Sequence, residues 1–346
     1  MQEYSTFVRE FETRFDAFLQ QTQRNYIETL THPDIQQYLE LIPSLAQGGK
    51  RVRPYAAWIS TGVALDDLTQ DHWNVFIALE NIHLFALIHD DLMDQSPERR
   101  GIPTAHTSIT SILESQKAIG DTAFSGRMQA LLLGDLVFWA THDLLISHPQ
   151  NQELSPLFSK LINNTILGQM LDFDQTNRAT VSSEDVLTKT IHKTSYYTFS
   201  YPIQIGLQLS STTTNIDVFR LGKLIGLGFQ TQDDLLDVIG DPQKTKKPVM
   251  ADVSSGQHTL MTSYIERNGT AEQRSILQKY RRNSLAIEAV GQLRTMFINS
   301  GAVAHAKEAA RAAYNEALQE INASDLKEKT KVNLTALVNY LKEREY

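Results

Sequence analysis

An all-α fold, built as a single helical domain, is what this sequence predicts, and three observations carry the prediction. Apolar residues recur three and four positions apart through most of the chain. Convincing strands with a period of two are missing. Turn chemistry is confined to short breaks at 47–49, 96–97, 101–103, 240–242 and 254–256. The 346 residues contain no Pro/Gly/Ser-rich linker, so they read as one domain, 1–346, large enough to bury a core without disulfides.

In chain order, helices are expected near 4–30, 54–64, 71–94, 122–146, 155–174, 185–209, 214–238, 270–284, 286–299, 301–322 and 327–344. The last mixes Lys, Glu and Leu and reads as a solvated terminal helix. Residues 241–259 are expected to form a long polar loop, of the kind that often carries function.

Composition removes several classes. With no cysteine, thiol catalysis, disulfides and cysteine-ligated zinc are excluded. A net charge of −8 argues against nucleic acid as the main partner. The first helix already carries Glu3, Arg9, Glu10, Glu12, Arg14 and Asp16, unlike a signal peptide. The longest apolar run, 128–140, is interrupted by Asp135, and no stretch approaches the ~20 apolar residues of a bilayer span. A cytoplasmic protein without a transmembrane segment is expected.

The chemistry is signalled by polar stripes on apolar helices. In 73–94, Glu80, His83, Asp90 and Asp94 recur near whole helical turns among Phe76, Leu84, Phe85, Leu87 and Ile88. Unpaired carboxylates are costly to bury, so this stripe should face a cation or a water-filled cavity. Asp90 and Asp94, one turn apart, can reach the same ion. The DDxxD pattern recurs at 233–237, with Gln230, Asp233 and Asp237 on one side of a helix whose Gly222, Gly226 and Gly228 permit close helix approach. Gln169 and Asp172 form a third, weaker element. Carboxylate ligands suit Mg²⁺, which takes one or two carboxylates together with water and phosphate oxygens.

Cations stand near each cluster. Lys50, Arg51 and Arg53 precede a helix begun by Pro54; Arg99 and Arg100 follow Asp94; Lys193 and Thr194 lie in an aromatic-rich, low-charge helix; Lys246 and Lys247 follow the second cluster. Each alone is an ordinary basic turn. Together they describe phosphate sites.

These motifs resemble the trans-type polyprenyl diphosphate synthases. The matches are GGKRVRP at 48–54, LIHDDLMD at 87–94, RRGIPTAH at 99–106, LLLGD at 131–135, GQMLD at 168–172, KTSYYTFSYPI at 193–203, FQTQDDLLDVIGD at 229–241 and KPVMADVSSGQHT at 247–259. The resemblance implies a helical bundle around a deep central cavity, a homodimer, and three Mg²⁺ holding an allylic diphosphate between Asp90/Asp94 and Asp233. Asp91, Asp172, Asp234 and Asp237 complete the implied metal set. It implies Arg99, Lys193, Thr194, Gln230 and Lys247 on the allylic substrate (dimethylallyl, geranyl or farnesyl diphosphate). Lys50, Arg53, His83 and Arg100 would bind isopentenyl diphosphate. Asp90, Asp94, Asp233, Lys193 and Arg99 would carry the ionisation, after which the isopentenyl double bond attacks the allylic cation and a proton is lost.

One departure stands out. The family commonly has lysine after the glycine of the last motif, where this chain has Gln257. Reduced diphosphate affinity is expected, with Lys246 and His258 the candidates to compensate. For product length, Phe85 and Ala86, five and four residues before Asp90, resemble the floor of enzymes making the C20 geranylgeranyl diphosphate. Farnesyl and longer products stay open. A terpene cyclase is disfavoured by the intact second DDxxD and by GGKRVRP; a non-catalytic partner subunit is disfavoured by the full set of aspartates.

Overall fold

The computed structural model describes residues 2–241, 249–283 and 286–343. The chain forms two compact units, Met1–Trp58 with Val63–Ser155, and Ile59–Gly62 with Pro156–Tyr346.

The first unit contains α1 (Gln2–Thr29), α2 (Pro33–Leu39), α3 (Ile42–Leu45), most of α4 (Val52–Thr61), α5 (Gln70–Met93), α6 (Ala105–Ser115) and α7 (Thr122–Ile146). In α1, Phe7, Phe11, Phe15 and Leu19 recur every fourth position and are buried, the stripe a helix needs to pack on a core. Phe7 stacks on Trp58 of α4 at 4.8 Å and on Trp73 of α5 at 5.7 Å. Thr69 and His72 form a capping box that starts α5. Inside, the amide of Asn81 on α5 donates to the Val137 carbonyl at 2.5 Å and to Thr141 at 3.1 Å, both on α7. A buried amide left without such partners would be costly, so this pair fixes how α5 lies along α7.

Helix α7 corrects one expectation: over 25 residues it is long and apolar enough, by length and composition, to cross a membrane. Yet Ala130, Leu133 and Val137 are buried, and the helix packs on α5 and α6. The turn after α5 holds a two-residue hairpin, β1 (Glu98–Arg99) with β2 (Ile102–Pro103), turned by Arg100 and Gly101 at positive φ.

The second unit continues with α8 (Asn151–Thr176), α9 (Ser183–Thr190), a π-helical stretch (Ile191–Ser200), α10 (Tyr201–Leu209), α11 (Val218–Ile239), α12 (Ala251–Ser255), α13 (Leu260–Asn268), α14 (Ala271–Tyr280), α15 (Ile287–Asn299), α16 (Ala302–Ala323) and α17 (Glu328–Lys342). Asp217 caps α11, accepting from the Phe219 and Arg220 amides at 3.0 Å. A Cβ at Gly226 of α11 would lie 2.3 Å from the Ser195 Cα, so this glycine lets α11 meet the π-helical stretch backbone to backbone. Leu235 and Val238 of α11 enter a core with Met250, Val253, Met261, Ile265 and Phe297.

Two expectations change here. The terminal helix α17 is not simply solvated: Thr330, Leu334, Leu337, Val338 and Leu341 are buried. The segment read as a polar loop over 241–259 contains the helix α12. Short helices such as α2, α3, α12 and α13 carry too little periodicity to be recognised alone, since tertiary packing rather than propensity stabilises them.

Candidate active site

In the first unit, Asp90 and Asp94 lie one turn apart at the end of α5, where the Asp94 amide donates to the Asp90 carbonyl at 2.9 Å. Asp90 is half-buried and Asp94 exposed. Asp91 points inward and is buried. Arg99 Nε donates to its Oδ1 at 2.8 Å, and the same guanidinium lies 3.3 Å from Asp90. Burial raises the Asp91 carboxyl above its ordinary value, with Arg99 opposing. Thus Arg99 is engaged by the first cluster itself.

Glu80, at the start of the polar stripe, has a structural partner. Arg51 donates to it at 2.8 Å and also grips Glu12 at 2.7 and 3.0 Å and the Ala46 carbonyl at 2.6 Å. Arg51 and Glu80 are both nearly inaccessible. A cleft beside them is lined by Arg51, Glu80, His83, Leu84, Leu87 and Arg100. It adjoins a larger one that takes in Ile88, Asp91 and Arg99. Lys50 and Arg53 do not line either cleft. Burial, with Arg53, Arg100, Arg99 and Arg51 around it, holds His83 well below its ordinary value. A neutral imidazole offers an oxyanion one N–H donor and no charge.

Phe85, on the side of α5 toward α7, packs on Phe138 at 4.9 Å and on His89 at 4.6 Å, with Ala86 beside it. Phe138 is an aromatic that the sequence reading did not single out.

In the second unit, Asp172 of α8 is buried and ion-paired to Lys193. Gly168, one turn earlier, has no room for a Cβ, which would lie 2.3 Å from the Lys193 backbone nitrogen; this close approach brings Asp172 to the lysine. Burial would raise the Asp172 carboxyl, but the ammonium groups of Lys193 and Lys189 bring it below its ordinary value. The Thr194 hydroxyl donates to Gln230 at 2.9 Å, and the Gln230 amide donates to Asp234 at 2.8 Å. Gln230 is therefore a relay that orients Asp234.

Asp237 accepts from the Ala251 and Asp252 amides at 2.9 and 3.2 Å, anchoring the start of α12. Burial, followed by the charge of Asp252, pushes both Asp234 and Asp237 well above the ordinary carboxylate range. Crowded carboxylates of this kind suit a hard divalent cation, which relieves their repulsion. Among the described residues no three Asp, Glu, His or Cys groups form a ready-made metal cage.

Lys246 and Lys247 lie outside the described residues. The compensation expected from His258 is not found. Its side chain is buried, with Nε2 at 3.1 Å from the Arg178 carbonyl and Nδ1 at 3.8 Å from Glu266. Burial, with Arg281 beside it, pushes His258 down to about 4 from an ordinary 6.5. Because the folded value is depressed, its contribution to stability is full above about pH 6.5 and is lost as the pH falls toward about 4. Melting temperatures should drop across that interval, and less steeply in His258→Gln; equal slopes in the two proteins would remove His258 as a cause.

The family model described as polyprenyl synthetase matches residues 35–296. The chain belongs to the polyprenyl synthetase family. Its match to this family makes it a trans-prenyltransferase, and its helical architecture is that of the family. The synthetase is 29% identical over 252 residues to a short chain isoprenyl diphosphate synthase of Methanocaldococcus jannaschii, covering 71% of each chain. It is 29% identical over 307 residues to a geranylfarnesyl diphosphate synthase of Aeropyrum pernix, covering 86% of this chain and 91% of that one. Among solved structures, a geranylgeranyl pyrophosphate synthase of Corynebacterium glutamicum, complexed with isoprenyl diphosphate and magnesium, superposes with a TM-score of 0.85. That comparison has 25% identity and covers 97% of this chain and 99% of the other.

Proposed function

We propose that the whole chain, 1–346, acts as one magnesium-dependent synthase domain that joins isopentenyl diphosphate to dimethylallyl, geranyl and farnesyl diphosphates and ends at the C20 geranylgeranyl product. The observation that carries this reading is the pairing, within each unit, of aspartates with cations: Asp90 and Asp91 with Arg99, and Asp172 with Lys193.

In this reading Asp90, Asp94 and Asp233 are the principal ligands of three Mg²⁺, supported by Asp91, Asp172, Asp234 and Asp237. Magnesium, when bound, would stabilise the charge that grows on the departing diphosphate oxygens. Lys193, Thr194 and Gln230 orient that leaving group, and Arg99 adds positive charge on the side of Asp90; Lys247 belongs to the same set. The allylic C–O bond breaks with its electron pair going to diphosphate. Arg100 and the neutral His83, with Lys50 and Arg53, hold isopentenyl diphosphate so that its double bond attacks the cation. The proton lost in forming the new double bond goes to the released diphosphate. Leu84, Leu87 and Ile88, lining the adjoining clefts, would keep water from the cation.

A homodimer is part of the proposal. In the first unit Met128, Leu131, Leu132, Leu136 and Trp139 of α7 are exposed, and in the second Ile166, Leu167, Met170 and Phe173 of α8 are exposed; apolar side chains in such number on one helix favour a partner surface. Product length is assigned to Phe85, which packs on Phe138 at 4.9 Å and would form a floor one turn before Asp90.

The test is incubation of purified protein with Mg²⁺, isopentenyl diphosphate and each allylic primer, followed by chromatography of the products. A C20 product is expected, shifting to longer chains in Phe85→Ala. An unchanged length in that variant would end the floor assignment. No elongation of any primer would overturn the synthase reading in favour of a partner subunit.

A further inference from the structure

Lys189 belongs to none of the motifs discussed above, yet it sits where Gln257 leaves a charge missing. Its side chain is only 11% exposed, and its ammonium lies 3.0 Å from Asp172 Oδ1, 2.9 Å from the His258 carbonyl and 3.4 Å from Gln257 Oε1. The Gln257 amide in turn lies 3.4 Å from Asp172 Oδ2. Lysine is rarely buried this far unless paired, and an apolar side chain would fill the same space without the desolvation cost. Asp172 is shared by Lys189 and Lys193, one helical turn apart. The field of Lys189 also reaches Asp234 in the second aspartate cluster, whose carboxyl it lowers.

We propose that Lys189 is a diphosphate-binding cation of this synthetase, supplying from α9 the positive charge that Gln257 does not supply from the loop after α12. The inference rests on the reading of the second unit's aspartates and Lys193 as diphosphate-binding groups. In the ligand-free state Asp172 holds both ammonium groups. On binding, the anionic oxygens of diphosphate share the two ammonium groups with Asp172, while Gln257 keeps Lys189 on the Asp172 side of α9. The two residues are 68 positions apart in sequence, so the exchange is between a helix and a distant loop rather than a local shift.

The test uses the full chain and inorganic diphosphate with Mg²⁺, titrated by calorimetry. Lys189→Gln, which retains a donor for the His258 carbonyl, should weaken binding by about tenfold, the scale of one hydrogen bond to a charged group. The swapped chain, Lys189→Gln with Gln257→Lys, keeps the same side chains in the same pair and should recover most of the parent affinity. Melting temperature without diphosphate checks that each variant is folded. A single variant that binds like the parent overturns the inference, as does a folded swap that binds no better than the single variant. Should the single variant not fold, the swap decides alone. The product assay fails independently: absence of elongation strikes the synthase reading, whereas calorimetry judges Lys189.

Discussion

Replacement of Asp90 by asparagine is expected to lower kcat about a thousandfold, with little change in melting temperature. The side chain is isosteric, its carboxylate is 22% exposed, and its ion pair to Arg99 is long at 3.3 Å. Loss of that pair costs little, because partly solvated pairs are worth about 0–1 kcal/mol. Loss of the charge matters far more, since removal of one group aimed at developing charge typically costs about 10²–10³ in rate, and metal affinity falls with it. Steady-state rates at saturating Mg²⁺, alongside a thermal melt, make the comparison. Asp91→Asn should behave differently: buried and held by Arg99 at 2.7–2.8 Å, Asp91 should lose stability as well as rate. A rate loss below about tenfold in Asp90→Asn, one hydrogen bond's worth, would remove Asp90 from the metal set.

The largest effect on stability is expected at Arg51. Exchange for methionine leaves Glu80 buried without its ion-pair partner, a situation that costs about 3–5 kcal/mol. The second partner, Glu12, is 42% exposed and adds little to the loss. Removing both charges, as in Arg51→Met with Glu80→Gln, should recover a large part, since the cost comes from the orphaned carboxylate rather than from the pair's net value. Urea denaturation followed by circular dichroism measures this. A double variant no more stable than the single one would mean that the packing of Arg51 over Phe11 and Phe15, at 5.9 and 5.2 Å, carries the energy instead.

Much of the site was legible because its spacing is a property of one helix. Asp90 and Asp94 share a face by helical geometry alone, and the same holds for Gln230, Asp233 and Asp237. The glycines of α11 were legible as close-approach positions, and Gly226 does meet the Ser195 backbone. Glu80 does face a cation, as its place on the stripe required, but the source of that cation was hidden. Its partner comes from Arg51, 29 residues away, and no periodicity announces that pairing.

Lys189 was passed over although a signal existed. It stands four residues before Lys193 in a segment of low charge, one helical turn from a residue already singled out. What the spacing could not reveal is that α8 runs close enough, through Gly168, for one carboxylate to hold both lysines. His258 shows the converse: a titratable residue beside Gln257 in sequence whose backbone turns its ring into a pocket with Arg178, Glu266 and Arg281.

By itself, then, the sequence determined the helical class, the two DDxxD stripes and the basic segments near them, because each is set by residue types within one or two turns of chain. Only the tertiary structure decided which charge answers which. Arg51 belongs to Glu80, Arg99 to Asp91, and Lys189 to Asp172 beside Gln257. Such pairs depend on where separate elements cross. A buried charge takes whichever opposite charge the packing brings within about 3 Å, since the alternative is the full cost of desolvation.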